Sequence, residues 1–206
     1  MKSIFKFLLT LCFLATATWT QSVYAEVTPD ALVKQTAEDV LSVIKNDKEI
    51  QAGNKQKIYA LAEEKILPNF DFDRVCRLVL GKNWRTATPE QQATFQKEFR
   101  SLLLRTYSTA LGKYRNQTIN YKPTVMDNES GVATVKTEII QPSGPPIAVD
   151  YSLSKNSADW KVFDIVIESV SLVTNYRSQF GAEIRQNGID SLNKKLADKN
   201  RAAGVN

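Results

Sequence analysis

The chain contains no histidine. That removes imidazole acid–base chemistry, histidine metal ligands and any triad with a histidine base. Carboxylates, hydroxyls and a thiol remain. Asp71 and Asp73 stand two apart in FDFDRVCRLVLG, a composition suited to a general acid and base. Both also stand where a helix needs an N-terminal acceptor, and capping is the reading their position favours. Asp150 with Tyr107 or Tyr151 matches the carboxylate base and hydroxyl donor that isomerases and hydratases place in apolar pockets. Asp150 and Tyr151 are neighbours on an alternating strand, however, so they point to opposite faces. Cys76 is the sole cysteine after residue 25, which leaves no internal disulfide; a lone thiol on a helix reads as core. No G-x-S-x-G, S-x-x-K set or glycine-rich phosphate loop is present.

Export comes before fold. Lys2 and Lys6 precede an apolar run from Phe7 to Trp19, and Val23-Tyr24-Ala25 offers a cut after Ala25. The run is too short to span a bilayer. Cys12 follows Leu11 rather than a small residue, so a lipid-anchored N-terminus is not expected. Residues 26–206 are expected to form one exported, soluble domain. Its formal charge is the chain's +5 less Lys2 and Lys6. That mild excess is spread along the sequence, which argues against nucleic acid as a partner.

The elements follow from periodicity. Gly81 to Tyr114 holds the clearest helix, with Thr88 as N-cap, Pro89 in the first turn and Gln91 closing a capping box. Phe95, Phe99, Leu102, Leu103, Thr106, Tyr107, Ala110 and Leu111 recur on one face. Before it the pattern predicts a helix from Thr28-Pro29 that ends by Gly53, a second from Asn54 to Ile66 stopped by Pro68, and a short third closed by Gly81. After it the period becomes alternating. One strand carries Ile119, Tyr121 and Val125 and is broken or bent at Pro123; others run from Val132 to Gln141, from Ile147 to Ser154 and from Trp160 to Glu168. The last is apolar on both faces, with Trp160, Val162 and Val166 one way and Phe163, Ile165 and Ile167 the other, so both sides need cover. Leu172, Tyr176, Phe180 and Ile184 mark a further helix ending at Gly188, and Ile189, Leu192 and Leu196 mark a last one. The expected class is α+β, a four-stranded antiparallel twisted sheet wrapped by about six helices.

Several motifs in order, FDF at 70–72, LGKNWR, TPEQQATFQKEFRSLLLRTYSTAL, WKVFDIVIESVSLVTNYRSQF and NGIDSL, closely resemble the MlaC family. These are periplasmic phospholipid-binding proteins, also called the toluene-tolerance family. The resemblance covers about Val27 to Leu196. It implies an NTF2-like cone around an apolar cavity that holds the acyl chains of a glycerophospholipid, with no catalysis and no cofactor beyond that cargo. It further implies two partners: an outer-membrane lipoprotein–porin complex and an inner-membrane ABC transporter whose periplasmic subunit docks the carrier.

Placed on this sequence, the expected lining is the inward face of the central helix, Leu103, Tyr107 and Leu111, against Ile139, Val149, Tyr151, Phe163 and Ile165 of the sheet. Val170 and Val173 are expected near the opening, with Lys122 or Arg177 as cations for the headgroup. The lysines 194, 195 and 199 are the expected contact for an acidic partner or membrane surface. Two other readings stay open: an exported enzyme using Asp150 and a tyrosine, and a ligand-free periplasmic interaction module.

Overall fold

The computed structural model describes residues 27–113, 117–157 and 159–204. The expected export signal, residues 1–25, and Tyr114 at the expected end of the central helix lie outside them. The chain begins with helix α1, Pro29–Asn46, which buries Val33, Val40 and Ile44. Pro29 occupies the first turn, while the Thr28 side chain makes no cap bond. The helix stops before Gly53 because Asp47 starts a new one, α2 (Lys48–Gln51), by accepting from the Glu49 and Ile50 N–H groups at 2.8 and 3.2 Å.

Asn54 caps α3, Lys55–Leu61, at 3.2 Å from the Lys57 N–H. This helix is shorter than the apolar spacing suggests. Pro68 has no N–H to give the preceding turn, and the chain passes through a π turn at Ala62–Ile66 and a 3-10 turn at Leu67–Asn69. Asp71 then caps α4, Phe72–Leu80, accepting from Arg74 N at 3.0 Å. Gly81 ends α4 with φ 55° and lies against Arg177, whose Nη2 would be 3.1 Å from any added Cβ.

A short α5, Lys82–Thr86, leads to α6, Pro89–Gly112. The capping box is reciprocal: Gln91 N–H donates to Thr88 Oγ1 at 3.2 Å and Thr88 N–H to Gln91 Oε1 at 3.0 Å. Thr88→Ala removes the first of these bonds, and thermal unfolding should show a loss of about 1 kcal/mol.

One antiparallel sheet follows: β1 Thr118–Tyr121, β2 Val125–Asp127, β3 Val132–Ile140, β4 Ile147–Asn156, β5 Asp159–Ile167 and β6 Val170–Ser171. The order is β1-β3-β4-β5-β6, with β2 also on β3. Six strands stand where four were expected, for two local reasons. Pro123 cannot donate to a ladder, so the first strand splits into β1 and β2 on the same edge of β3. Glu168 and Ser169, both with positive φ, fold β6 back onto β5. At the other end of β5, the Asp71 N–H donates to Val162 O at 2.9 Å and Phe70 forms a parallel bridge to Val162.

The alternation expected along β5 is interrupted. Tyr151 pairs with Ile165 but Leu153 pairs with Val162, because the register shifts between Ser152 and Leu153. One extra β5 residue is accommodated there. Val162, Ile165 and Ile167 therefore share a face, and Phe163 parts from Ile165; the expected grouping of Phe163, Ile165 and Ile167 is corrected.

The chain ends in α7, Leu172–Ala202, interrupted at Gly188, where φ 80° and ψ 168° are not helical. The expected stop at Gly188 is present: the chain kinks there, and α7 consists of two helical limbs on either side of it. Its N-terminus is pinned to β5: Asp164 accepts from Ser171 Oγ at 2.6 Å and from Val173 N–H at 3.0 Å.

Candidate functional site

Among the described residues the buried apolar side chains form three clusters rather than one. The first joins α4, α6 and α7 through Val79, Phe95, Phe99, Tyr176, Phe180 and Leu196. A second joins α1 to the sheet through Val33, Ala133, Val135, Leu153 and Val162. The third joins α1, α2 and α3 through Val40, Ile44, Ile50, Ile58 and Leu61. A single domain ordinarily has one contiguous core.

The expected lining residues lie along the borders of these clusters. Leu103 borders the first and Leu111 the third, with Tyr107 one turn from each, so the three make a half-buried ridge along α6. On the sheet, Val135, Val149 and Tyr151 share a face with Ile139, Ile165 and Ile167 by cross-strand pairing. Ile139, Tyr151, Ile165 and Ile167 are half-buried, while Val149 is buried. Phe163 is not among them: it borders the first cluster, with the Arg74 guanidinium 3.9 Å from its ring centre. Val173 borders the same cluster. Val170 is 54% exposed at the tip of the β5–β6 turn.

The central helix differs from its simple stripe. Phe95 and Phe99 are fully buried, but Thr106 and Ala110 are exposed, whereas Glu98, Leu104 and Ser108 are buried. The buried face turns along the helix because different neighbours cover its two halves. α6 packs on α7, α3 and α4, while α1, α4 and α7 are the helices that lie close on the sheet. The ridge of α6 and the apolar face of the sheet are thus two half-buried greasy surfaces, and among the described residues the closest helix packing on the sheet comes from α1, α4 and α7.

Three tyrosine hydroxyls belong to these surfaces, and burial pushes each upward. Tyr151 is pushed to about 12, with Tyr121 adding to the shift and a hydrogen bond with Thr137 opposing it. Tyr107 is raised further, helped by Tyr176, with which it shares a hydrogen bond, and Tyr121 is raised with a contribution from Glu38. Each favours the neutral form in the fold. The stabilising effect is complete below the unfolded value of 10.0 and is lost as pH climbs, for Tyr151 through about 12. Ultraviolet phenolate titration should show late-ionising tyrosines, and Tyr151→Phe should remove one of them.

Polar candidates disperse. Asp150 pairs with Lys136 and Val166 in the ladder, on the face opposite Tyr151. Asp71 is a cap, and Asp73 is bound by Arg77 Nε at 2.6 Å and Gln96 at 3.0 Å. Cys76 is fully buried, its thiol pushed up by burial and then by Asp73. Lys122 is ion-paired with Glu138, Lys194 with Asp198 at 2.8 Å and Lys195 with Glu183 at 2.7 Å. No group of three or more cysteine or acidic side chains among the described residues could hold a metal. Nor is any helix there long and apolar enough to cross a membrane.

Residues 34–198 match the family described as MlaC protein. This chain belongs to the MlaC family. MlaC relatives include the toluene tolerance protein ttg2D of Pseudomonas putida, 29% identical over 81% of this chain and 77% of that protein. Another is the intermembrane phospholipid transport system binding protein MlaC of Haemophilus influenzae, 27% identical over 86% and 84%. A phospholipid-binding protein from Ralstonia solanacearum, solved in complex with a phospholipid, superposes with a TM-score of 0.79 at 38% identity, covering 88% of this chain and 99% of that one. Periodicity could not find two features of this MlaC chain, the β5 irregularity and the contact of Tyr107 with Tyr176 on a distant helix.

Proposed function

We propose that the chain is a periplasmic phospholipid carrier that holds acyl chains between α6 and the apolar face of the sheet. One observation carries this reading: Leu103, Tyr107 and Leu111 on α6 and Ile139, Tyr151, Ile165 and Ile167 on the sheet are all left half-buried, several of them at the margins of the three closed clusters. The state of Tyr151 supports it. Its side chain keeps open surface while its hydroxyl is strongly desolvated, as expected beside an enclosed apolar space. The phospholipid in the Ralstonia solanacearum relative supports the choice of ligand.

The chemistry required is solvation. A diacyl lipid hides roughly 30 methylenes, and at about 0.8 kcal/mol each their exposure costs on the order of 25 kcal/mol. A carrier must match the bilayer almost completely, so that loading and unloading both stay near balance. The phosphate remains by water, since burying it unpaired is costly. Val170 at the β5–β6 turn marks the rim of the opening. None of this needs a nucleophile, a metal or an acid–base pair, and Asp150 on the opposite sheet face is poorly placed to serve the same space. The carrier trades its cargo with an outer-membrane complex and with the periplasmic subunit of an inner-membrane ABC transporter, after export directed by residues 1–25.

Native mass spectrometry of protein purified without detergent is expected to show one phospholipid per chain. An empty, folded chain that also takes up no lipid from vesicles would overturn the proposal and favour the interaction module.

A further inference from the structure

The two limbs of α7 grip α6 differently. Residues 172–187 do so through Tyr176 and Phe180, packed on Phe95 and Phe99 with ring centres 5.1 to 5.8 Å apart. Residues 189–202 add Leu192 and Leu196, but between them runs a polar seam. Asn193 Nδ2 donates to Gln91 O at 3.0 Å; one heptad on, Asn200 Nδ2 donates to Glu98 O at 2.9 Å and to Glu98 Oε2 at 2.8 Å. Both bonds span the same sequence separation of 102 residues, so this second limb runs parallel to α6, whereas the first limb, with Tyr176 on Phe99 and Phe180 on Phe95, runs antiparallel to it.

Both amides are almost wholly enclosed, Asn193 at 5% exposure and Asn200 at 0%, yet each Oδ1 lacks a partner. Flipping either amide would not help, because its nitrogen already faces carbonyl or carboxylate oxygen. Each orphan acceptor weakens the closed seam by roughly tenfold. A groove of about 310 Å³ also opens along it, lined by Gln91, Thr94, Asp190 and Asn193 among others. At the root of the limb is Gly188, whose φ 80°, ψ 168° no side chain adopts comfortably although nothing lies within 4 Å of its missing Cβ. A buried polar pair fixes register at the expense of stability. A glycine break with such a seam beyond it is the construction of a part that opens without unfolding the rest.

We infer that residues 189–202 form a latch hinged at Gly188, held on α6 by Asn193 and Asn200, whose release lets α6 move away from the sheet for lipid exchange. The exchange role rests on the carrier reading; the hinge does not. Hydrogen exchange on the full chain tests the hinge. Amides of residues 192–202 should exchange at least tenfold faster than those of α6 around Phe95 and Phe99. The variant N193L/N200L, which takes the donors away from Gln91 O, Glu98 O and the buried Glu98 carboxylate, should speed that opening at least tenfold. Gly188→Ala, which favours a straight helix, should speed it by a similar factor. Transfer of a fluorescent phospholipid between vesicles should follow the opening rate, faster in both N193L/N200L and Gly188→Ala than in the wild-type chain. Exchange of 192–202 only together with α6, in the wild-type chain, overturns the hinge. Opening rates that change while transfer stays constant overturn the coupling. A protein that carries no lipid defeats the carrier reading and with it the exchange role, leaving the hydrogen-exchange result to decide the hinge.

Discussion

Ile165→Trp is expected to empty the protein of phospholipid while leaving it folded. Ile165 is half-buried on the apolar sheet face, opposite Tyr151 in the ladder and at the margin of the cluster that joins α1 to the sheet. On the carrier reading, an indole there takes the place of several lipid methylenes in the space proposed between the sheet and α6. Displacing three or four of them costs about 3 kcal/mol, close to a hundredfold in affinity. Lipid extracted from the variant should fall to a trace, with the thermal midpoint moved by only a few degrees. If the side chain were instead packed in solid core, the indole would cost about 1 to 3 kcal/mol of stability by overpacking. Unchanged lipid content would then show that Ile165 does not line the cargo space. Val149 is a less decisive site for the same change, because it is already buried.

Phe99→Ala carries the largest expected loss of stability. The ring is 1% exposed and touches four others, Phe72, Phe95, Tyr176 and Phe180, with centres 5.1 to 6.0 Å away. It is the point at which α4, α6 and α7 meet. Truncation removes its transfer free energy and leaves a cavity that stacked neighbours cannot easily close, a cost of about 3 to 5 kcal/mol. For a domain of this size the midpoint should fall on the order of 10 °C. A fall of only two or three degrees would show that the aromatic cluster collapses into the gap. Because α6 would then lose its seat on α7, lipid retention should drop as well, but only in proportion to unfolding.

Much of this architecture was legible where local chemistry dictates it. Thr88, Pro89 and Gln91 announce the start of α6, and the bonds they were expected to make are present. Asp71 and Gly81 bracket α4 for equally local reasons. Pro123 marks the break in the first strand, and Gly188 the break in the last helix. What escaped depends on neighbours distant in sequence. The shift opposite Ser152 and Leu153 moves Phe163 off the face of Ile165, and an apolar run has no alternation with which to betray an extra residue. The stripe on α6 holds at Phe95, Phe99, Leu102, Leu103, Tyr107 and Leu111 but fails at two positions. Thr106 and Ala110 face outward while Leu104 and Ser108 are buried, because α3, through Ile58 near Gly112, joins α7 in covering this half of the helix. Sequence spacing identifies residues that can face one side of an element; it carries no record of which partner arrives. The same limit applies to Lys195, which is paired with Glu183 across the Gly188 break, whereas the pairing of Lys194 with Asp198 is a local one, four residues along the same helix.

The margins of the sheet have a consequence for how such a chain survives at high concentration. One border is divided by Pro123 into pieces of four and three residues, and the opposite border is occupied by β6 and by Phe70 with Asp71. Neither offers a long, straight row of free amides on which another molecule could build. A carrier as proposed, which bares greasy surface when it gives up its lipid, would otherwise risk stacking into fibrils with its own copies. Here the strands at both borders are kept too short, or too well covered, to serve as a template.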